Sequence, residues 1–298
     1  GNLGQVRSLA LESARERRRR AGEIEDYAEA KAHMEHAHRS ESKDKLNAMV
    51  DLARERPAIY DNGVGWDGNP LLLGVANGMV NLATGEFREG RREDRVTKST
   101  GIAFDPAADC PRWRQFIHEL FANDEVEAFI QRAVGYTLTG STREQVWFLC
   151  YGDGANGKST FLEAVLSLMG GLVADSYGAD TPSDTLMKRG QMAGIPADLA
   201  ALADKRYVIC SESDSVSSLN SAKVKALTGG DPQTARFLHQ NFFTFAPVLK
   251  LWLATNHLPK VSDPTDGFRR RVRLIPFLQK FAGANRDPDL RDKLRAEL

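Results

Sequence analysis

Cysteine is scarce, and neither sign of charge is in surplus. Cys110, Cys150 and Cys210 are far apart and have no CxxC partner or neighbouring histidine. This argues against a disulfide framework or a zinc site and fits a reducing compartment. Forty basic residues balance forty acidic ones, which excludes a histone-like polyanion binder but not a local basic patch. No apolar run approaches the roughly 18 residues of a membrane-spanning helix, so no membrane partner is expected. The opening Gly1-Asn2-Leu3-Gly4 begins no apolar signal segment and lacks an initiator Met, so the chain reads as part of something longer. What is present is 298 residues, 42% hydrophobic and 27% charged. That supports a substantial core in one large domain or two modest ones.

Residues 5–55, rich in Ala, Glu, Arg and Lys, read as helix, and the run Arg17–Arg20 reads as a solvated face. Pro57 interrupts that pattern. Turn signals then cluster through residues 58–100, and Asn77-Gly78 between two short apolar runs predicts a hairpin within a small β-meander. Pro111 opens a helix, and Asp124 is the expected cap of a second. Beyond residue 145 the pattern alternates. Apolar strands are expected at 146–151, 207–210, 248–254 and 272–277, with helices at 158–169 and 219–227, the mark of an α/β fold with a buried parallel sheet. Three parts follow: a helical N-terminal segment (1–55, a candidate oligomerisation collar), a small α+β domain (56–140) and an α/β nucleotide-binding domain (141–298).

The sharpest motif is Gly152-Asp153-Gly154-Ala155-Asn156-Gly157-Lys158-Ser159, a full G-x-x-x-x-G-K-S/T phosphate-binding loop between a buried strand and a helix. Its glycines let backbone N–H groups turn toward phosphates, and the helix aims its positive end at them. Lys158 can then reach the β- and γ-phosphates, Ser159 can hold Mg²⁺, and Thr160 completes the first turn. A second apolar strand ends in Glu212 and Asp214, where a nucleotide hydrolase needs its metal-holding and water-activating carboxylates, so both are metal candidates. Glu212 would polarise the attacking water, and Asp214 is a weaker metal candidate. A third ends in Asn256, whose amide can hold the water or the γ-phosphate. Arg269, Arg270 and Arg271 precede the fourth strand and could serve a neighbouring subunit's γ-phosphate. Between Glu212 and Asn256, residues 233–245 read as a hairpin. Its aromatic and polar tip could grip a nucleic-acid strand or simply pack into the core.

Taken in order, these motifs and the segments Lys223-Val224-Lys225, Thr255-Asn256-His257 and Arg270-Arg271 resemble superfamily 3 helicases. The likeness is closer to the phage/plasmid and poxvirus-type primase-helicase family, and it extends upstream to Asn77-Gly78, Pro111-Arg112-Trp113 and Gly135-Tyr136. The resemblance implies an AAA+ ATPase with a β-hairpin insertion, working with ATP and Mg²⁺ as a ring, usually of six subunits. Lys158, Ser159, Glu212 and Asn256 would act from one subunit, and Arg270, with Arg271, from the next. The hairpin would move single-stranded or forked DNA through a channel lined by Lys223, Lys225, Arg236, His239 and Gln240. It further implies a primase domain on the full-length chain and a phage- or plasmid-encoded protein in the cytoplasm of a bacterial host. Two other readings of the loop stay open: a small-molecule kinase that closes its own lid, and a DNA-loading ATPase that does not unwind.

Overall fold

The computed structural model describes residues 3–56, 61, 63–187, 197–211, 218–238, 240–259, 261, 265–283 and 286–298. The chain divides into two compact units, Gly1–Val64 and Gly65–Leu298.

The first unit holds three helices, α1 (Leu3–Ala21), α2 (Tyr27–Ser40) and α3 (Lys43–Arg54), so the helical stretch is broken twice. Asp26 sets the start of α2 by accepting the Glu29 N–H at 2.8 Å. The helices bury small side chains, among them Ala10, Ala14, Ala37 and Val50. The basic run is engaged within the unit. Arg19 and Arg20 reach back to Glu16 at 2.7 and 2.9 Å, and Arg18 meets Glu41 at 3.3 Å. Hydrogen bonds from Arg20 and Arg19 hold the Glu16 carboxyl below its usual range.

The second unit opens with a meander of β1 (Leu72–Val75), β2 (Gly78–Asn81) and β3 (Glu86–Arg88). Val75 pairs with Gly78, so the turn is Ala76-Asn77, one residue earlier than the Asn77-Gly78 signal implies. Helices α4 (Pro111–Phe121) and α5 (Asp124–Leu138) follow. Asn123, not Asp124, caps α5 by accepting the N–H groups of Glu125 and Val126. Asp124 instead places negative charge in the first turn, where the helix dipole favours it.

The remaining elements are β4 (Trp147–Tyr151), α6 (Lys158–Leu168), β5 (Gly178–Pro182), α7 (Ala197–Ala200), β6 (Tyr207–Ser211), α8 (Ser221–Gly229), β7 (Gln233–Ala235), β8 (Phe243–Phe245), β9 (Lys250–Thr255), α9 (Asp266–Arg269), β10 (Val272–Pro276) and α10 (Leu290–Arg295). Five strands form an all-parallel sheet in the order β10-β4-β9-β6-β5, and β7-β8 form a separate antiparallel hairpin. The strand before the phosphate loop is therefore central, with β9 on one side and β10 on the other. The sequence pattern did not reveal β5. Its residues Gly-Ala-Asp-Thr-Pro carry no apolar run, because an edge strand needs none.

Both sheet faces are covered. Along β4, Phe148 and Cys150 enter one apolar cluster, and Trp147 and Leu149 enter the other, the strict alternation of a doubly buried strand. Phe148 stacks on Trp252 at 4.1 Å, and the Trp252 Nε1–H donates to Thr137 Oγ1 at 3.2 Å. Leu73 and Val80 of the meander, Phe116 of α4 and Ile130 of α5 belong to the same cluster as Phe148 and Trp252. Residues 65–140 thus share a core with the parallel sheet instead of forming a domain of their own, and the division falls at 64/65 rather than at 55/56 or 140/141.

Buried cations reinforce that union at the N-terminal edge of the sheet. Arg206, just before β6, donates to the carbonyls of Leu138 (2.8 Å) and Leu72 (2.9 Å) and lies 4.4 Å over the Tyr177 ring. Lys250, opening β9, donates to the carbonyls of Thr139, Ser141 and Val248. Lys205 donates to the Ser176 carbonyl at 2.7 Å. Burial pushes Lys205 down to about 8 and lowers Lys250 as well. Among the described residues, no helix is long and apolar enough to cross a membrane.

Candidate active site

The phosphate loop joins the end of β4 to the start of α6 at the C-terminal edge of the sheet, where open α/β folds place their ligands. Two of its glycines are needed sterically. A Cβ on Gly152 would run into the Phe277 carbonyl. Gly157 has φ +79°, and a Cβ there would lie 2.6 Å from Leu120 Cδ2. Buried Asn156 pins the loop to the chain just after β10: its Nδ2 donates to the Phe277 carbonyl at 3.2 Å, and its Oδ1 accepts the Lys158 N–H at 3.3 Å. The Phe281 N–H donates to the Ala155 carbonyl at 2.7 Å, which holds the loop from the other side. Asp153, Gly154, Ala155 and Ser159 stay exposed, and Thr160 is half-buried.

Lys158 turns its amine inward. Nζ donates to the Gly152 carbonyl at 2.5 Å, the Thr255 carbonyl at 2.9 Å and Asn256 Oδ1 at 2.9 Å. Two candidates 98 positions apart therefore meet. Register explains why: Tyr151 of β4 pairs with Thr255 of β9, so the residues that follow leave the sheet side by side. β6 lies on the other flank of β9, with Ser211 paired to Ala254. Glu212 and Asp214, which follow Ser211 in the chain, lie outside the described residues. The Cys150 thiol, buried in β4, is raised far above its ordinary range by desolvation, which keeps it protonated.

The arginines are elsewhere. Arg270 and Arg271 precede β10, and the Arg271 carbonyl accepts the N–H of Trp147 at the start of β4. The parallel sheet thus separates them from their own loop by the length of β4, about 13 Å of strand. Arg271 is held in its own chain, donating to the Gly267 carbonyl and to Gln145 Oε1, both at 2.9 Å. Arg269 and Arg270 are exposed.

Of the DNA-contact candidates, Lys223 and Lys225 are half-buried on α8. Arg236 and Gln240 are exposed at the end of the β7–β8 hairpin, and Arg236 lies 5.0 Å over the Phe242 ring. His239 lies outside the described residues.

One part of the site escaped sequence reasoning. Beside the loop opens a cleft of about 1130 Å³, lined by Ala155, Gly157 and Thr160, by Phe116 of α4, and by Phe281 and Arg291 after β10. Its walls come from segments far apart in sequence. Glu297 holds them together by accepting the N–H groups of Arg112 and Trp113 at 2.8 Å each, capping α4 from the far end of the chain. No local motif announces such a cleft.

Two family profiles match the sequence: "D5 N terminal like" over residues 4–122 and "Family of unknown function (DUF5906)" over residues 150–271. A protein of Acanthamoeba polyphaga mimivirus named "Putative helicase L207/L206" is 29% identical over 222 residues, covering 72% of this chain and 22% of that protein. An African swine fever virus protein named "Putative primase C962R" is 23% identical over 230 residues, covering 75% and 23%. By these matches the chain is similar to the viral D5-like primase-helicases. Among solved structures, the apo NrS-1 C-terminal region (305–718) superposes with a TM-score of 0.51 at 12% identity, over 66% of this chain and 45% of that one, a likeness of fold. This D5-like chain spans about a quarter of the length of the curated relatives it matches.

Proposed function

We propose that this chain is the ATP-hydrolysing motor segment of a DNA helicase that works as a ring, in the manner of superfamily 3. The observation that carries the reading is the meeting of Lys158 with Asn256 across neighbouring parallel strands at the mouth of the loop. A phosphate-binding lysine and an amide able to hold water are thereby brought to one point. ATP phosphates would lie along Gly152–Thr160, with the base and ribose in the adjoining cleft. Lys158 would exchange the Gly152, Thr255 and Asn256 oxygens for phosphate oxygens. Ser159, exposed at the first turn of α6, would offer its hydroxyl to Mg²⁺. Bound there, the ion would neutralise charge on the β- and γ-phosphates. Glu212 would polarise the water, Asp214 would support the metal side, and Asn256 would orient the nucleophile.

The position of the arginines supports a ring. Arg270 stands at the sheet edge opposite its own loop, so it can act only on a nucleotide held by a neighbour. Arg271, tied to Gly267 and Gln145, leaves Arg270 as the reaching arm. A kinase closing its own lid would draw no such arginine from this chain. Six subunits would close the ring around single-stranded or forked DNA contacted by Lys223, Lys225, Arg236, His239 and Gln240. A primase would stand on the same full-length protein, as the relative named a primase supports. The matched relatives are viral, so we assign the chain to replication of a viral or other mobile genome.

The test is mixing. Lys158→Ala and Arg270→Ala should each lose DNA-stimulated ATP hydrolysis. Combined, they should recover part of it, because some interfaces join an intact loop to an intact arginine. A mixture as inactive as its components, with both variants assembled, would refute shared sites.

A further inference from the structure

The β7–β8 hairpin keeps two of its aromatic rings, Phe237 and Phe242, in the open. Its strands are three residues each, too short to be stable alone. They are anchored by buried Ala235 and by Phe243 and Phe245, which pack on the second apolar cluster. From that anchor a line of rings runs outward. Phe245 and Phe243 lie 5.9 Å apart, and Phe243 and Phe237 lie 5.6 Å apart and within 16° of parallel. Phe237 is 44% exposed, Phe242 56% and Leu238 76%. Each outer ring is backed from within, Phe237 by Phe243 and Phe242 by the Arg236 guanidinium. Phe237, Phe242 and Phe243 line an open groove of about 560 Å³ with the amides of Gln240 and Asn241.

Charge and size narrow the occupant. No Asp or Glu occurs from residue 232 to 262, in a chain with 40 acids among 298 residues, so the hairpin and the strand after it repel no polyanion. A tip spanning residues 236–242 cannot supply the roughly 20 residues per side of a stable protein interface. A flat ring with a phosphate on either side meets every requirement: an aromatic face to stack on, amides for its polar edge and a guanidinium for its backbone.

We infer that the hairpin tip holds single-stranded nucleic acid by its bases, with Phe237 and Phe242 as stacking platforms and Arg236 bracing Phe242 while meeting a phosphate. This rests on the DNA-motor reading and deepens it, since a tip that held only phosphates would be blind to the bases.

The experiment is equilibrium binding of the full chain to a labelled oligothymidylate and to an abasic phosphodiester strand of the same length. The proteins are wild type, Phe237→Leu/Phe242→Leu and Arg236→Ala, each checked for an unchanged melting curve. Wild type should bind the base-bearing strand about ten-fold or more tightly than the abasic one. The double Leu variant, which keeps apolar bulk but no ring, should lose that preference and keep its salt dependence. Arg236→Ala should lower the slope of log affinity against log salt by about one. Equal wild-type affinity for the two strands, or a double Leu variant that still prefers bases, overturns stacking and leaves the motor reading standing. Absence of binding to either strand overturns both.

Discussion

Replacing Arg206 with Met tests whether the N-terminal edge of the sheet holds residues 65–140 and the parallel-sheet part together as one folded unit. The side chain is buried, and its only carboxylate influence among the described residues is the more distant charge of Asp67, with no ion pair. It holds two backbone carbonyls, Leu138 of α5 and Leu72 of β1, and the face of Tyr177. Bonds from a charged donor contribute about 2 kcal/mol each, and the ring contact about 1 kcal/mol. Met keeps the alkyl packing of the stem. Removing the cation also relieves the cost of burying it, visible in the downward push on its pKa, and that returns about 2 kcal/mol. The net loss is about 3 kcal/mol. For a unit of this size the melting point should fall by about 10 °C. Tryptophan fluorescence reads the right unit, because Trp66, Trp113, Trp147 and Trp252 all lie beyond residue 64. Arg206→Lys should recover little, since one ammonium on a shorter stem cannot span both carbonyls. A loss below 1 kcal/mol would refute the accounting, and two separate fluorescence transitions in the wild type would refute the single unit.

Two further outcomes follow from local geometry. Gly157→Ala should cost about 1–3 kcal/mol and weaken nucleotide binding, because it strains a positive φ and presses on Leu120; Gly154→Ala, with nothing within 4 Å of its Cβ, should melt as wild type does, and equal effects from the two would refute the steric reading. Asp94 accepts from both guanidinium nitrogens of Arg88 and from the Arg91 N–H, and the Arg88 bonds hold it down to about 2. A carboxyl depressed on folding stabilises above its unfolded value near 4 and loses that contribution as pH falls toward 2, so the melting-point gap between wild type and Asp94→Asn should shrink from pH 5 to pH 2.5, and a gap that stays constant would refute it.

The α/β pattern was legible because a doubly buried parallel strand writes an unbroken apolar run, as in Val146–Tyr151 and Leu251–Ala254. The tight turn from β4 into α6 was legible because its glycines answer local steric demands that few other residues meet. Strand β5 was not, since an edge strand of Gly, Ala, Asp, Thr and Pro looks like a loop. The union of residues 65–140 with the sheet was equally hidden. It depends on where Arg206 and Lys250 send their hydrogen bonds, and a lone Arg before a strand looks the same whether it faces water or a buried carbonyl. The cleft beside the loop has walls from three segments and no motif. The hairpin was visible as two β-rich runs, but its sequence could not say whether the rings faced inward. Phe243 and Phe245 do, while Phe237 and Phe242 stay about half exposed.

The course of β9 links these parts. Its C-terminal end carries Thr255 and Asn256, which touch Lys158, and its N-terminal end follows the hairpin after only four residues, 246–249. Between them runs a central strand of six residues, about 20 Å long, paired with β4 and β6 and buried on both faces. In the proposed motor, phosphate arrival draws Lys158 away from Asn256 and the Thr255 carbonyl, and the element that feels the change is the rod whose other end bears the hairpin. Lys250, clamped by three carbonyls where that rod begins, keeps it from bending there. A shift at the nucleotide would then pass along the strand toward the sheet edge that bears Arg270, the residue proposed to serve a neighbouring site. In that reading, nucleotide state, the arginine offered to the next subunit and the strand-holding tip would be coupled through one stiff element, as a ring whose subunits fire in turn requires.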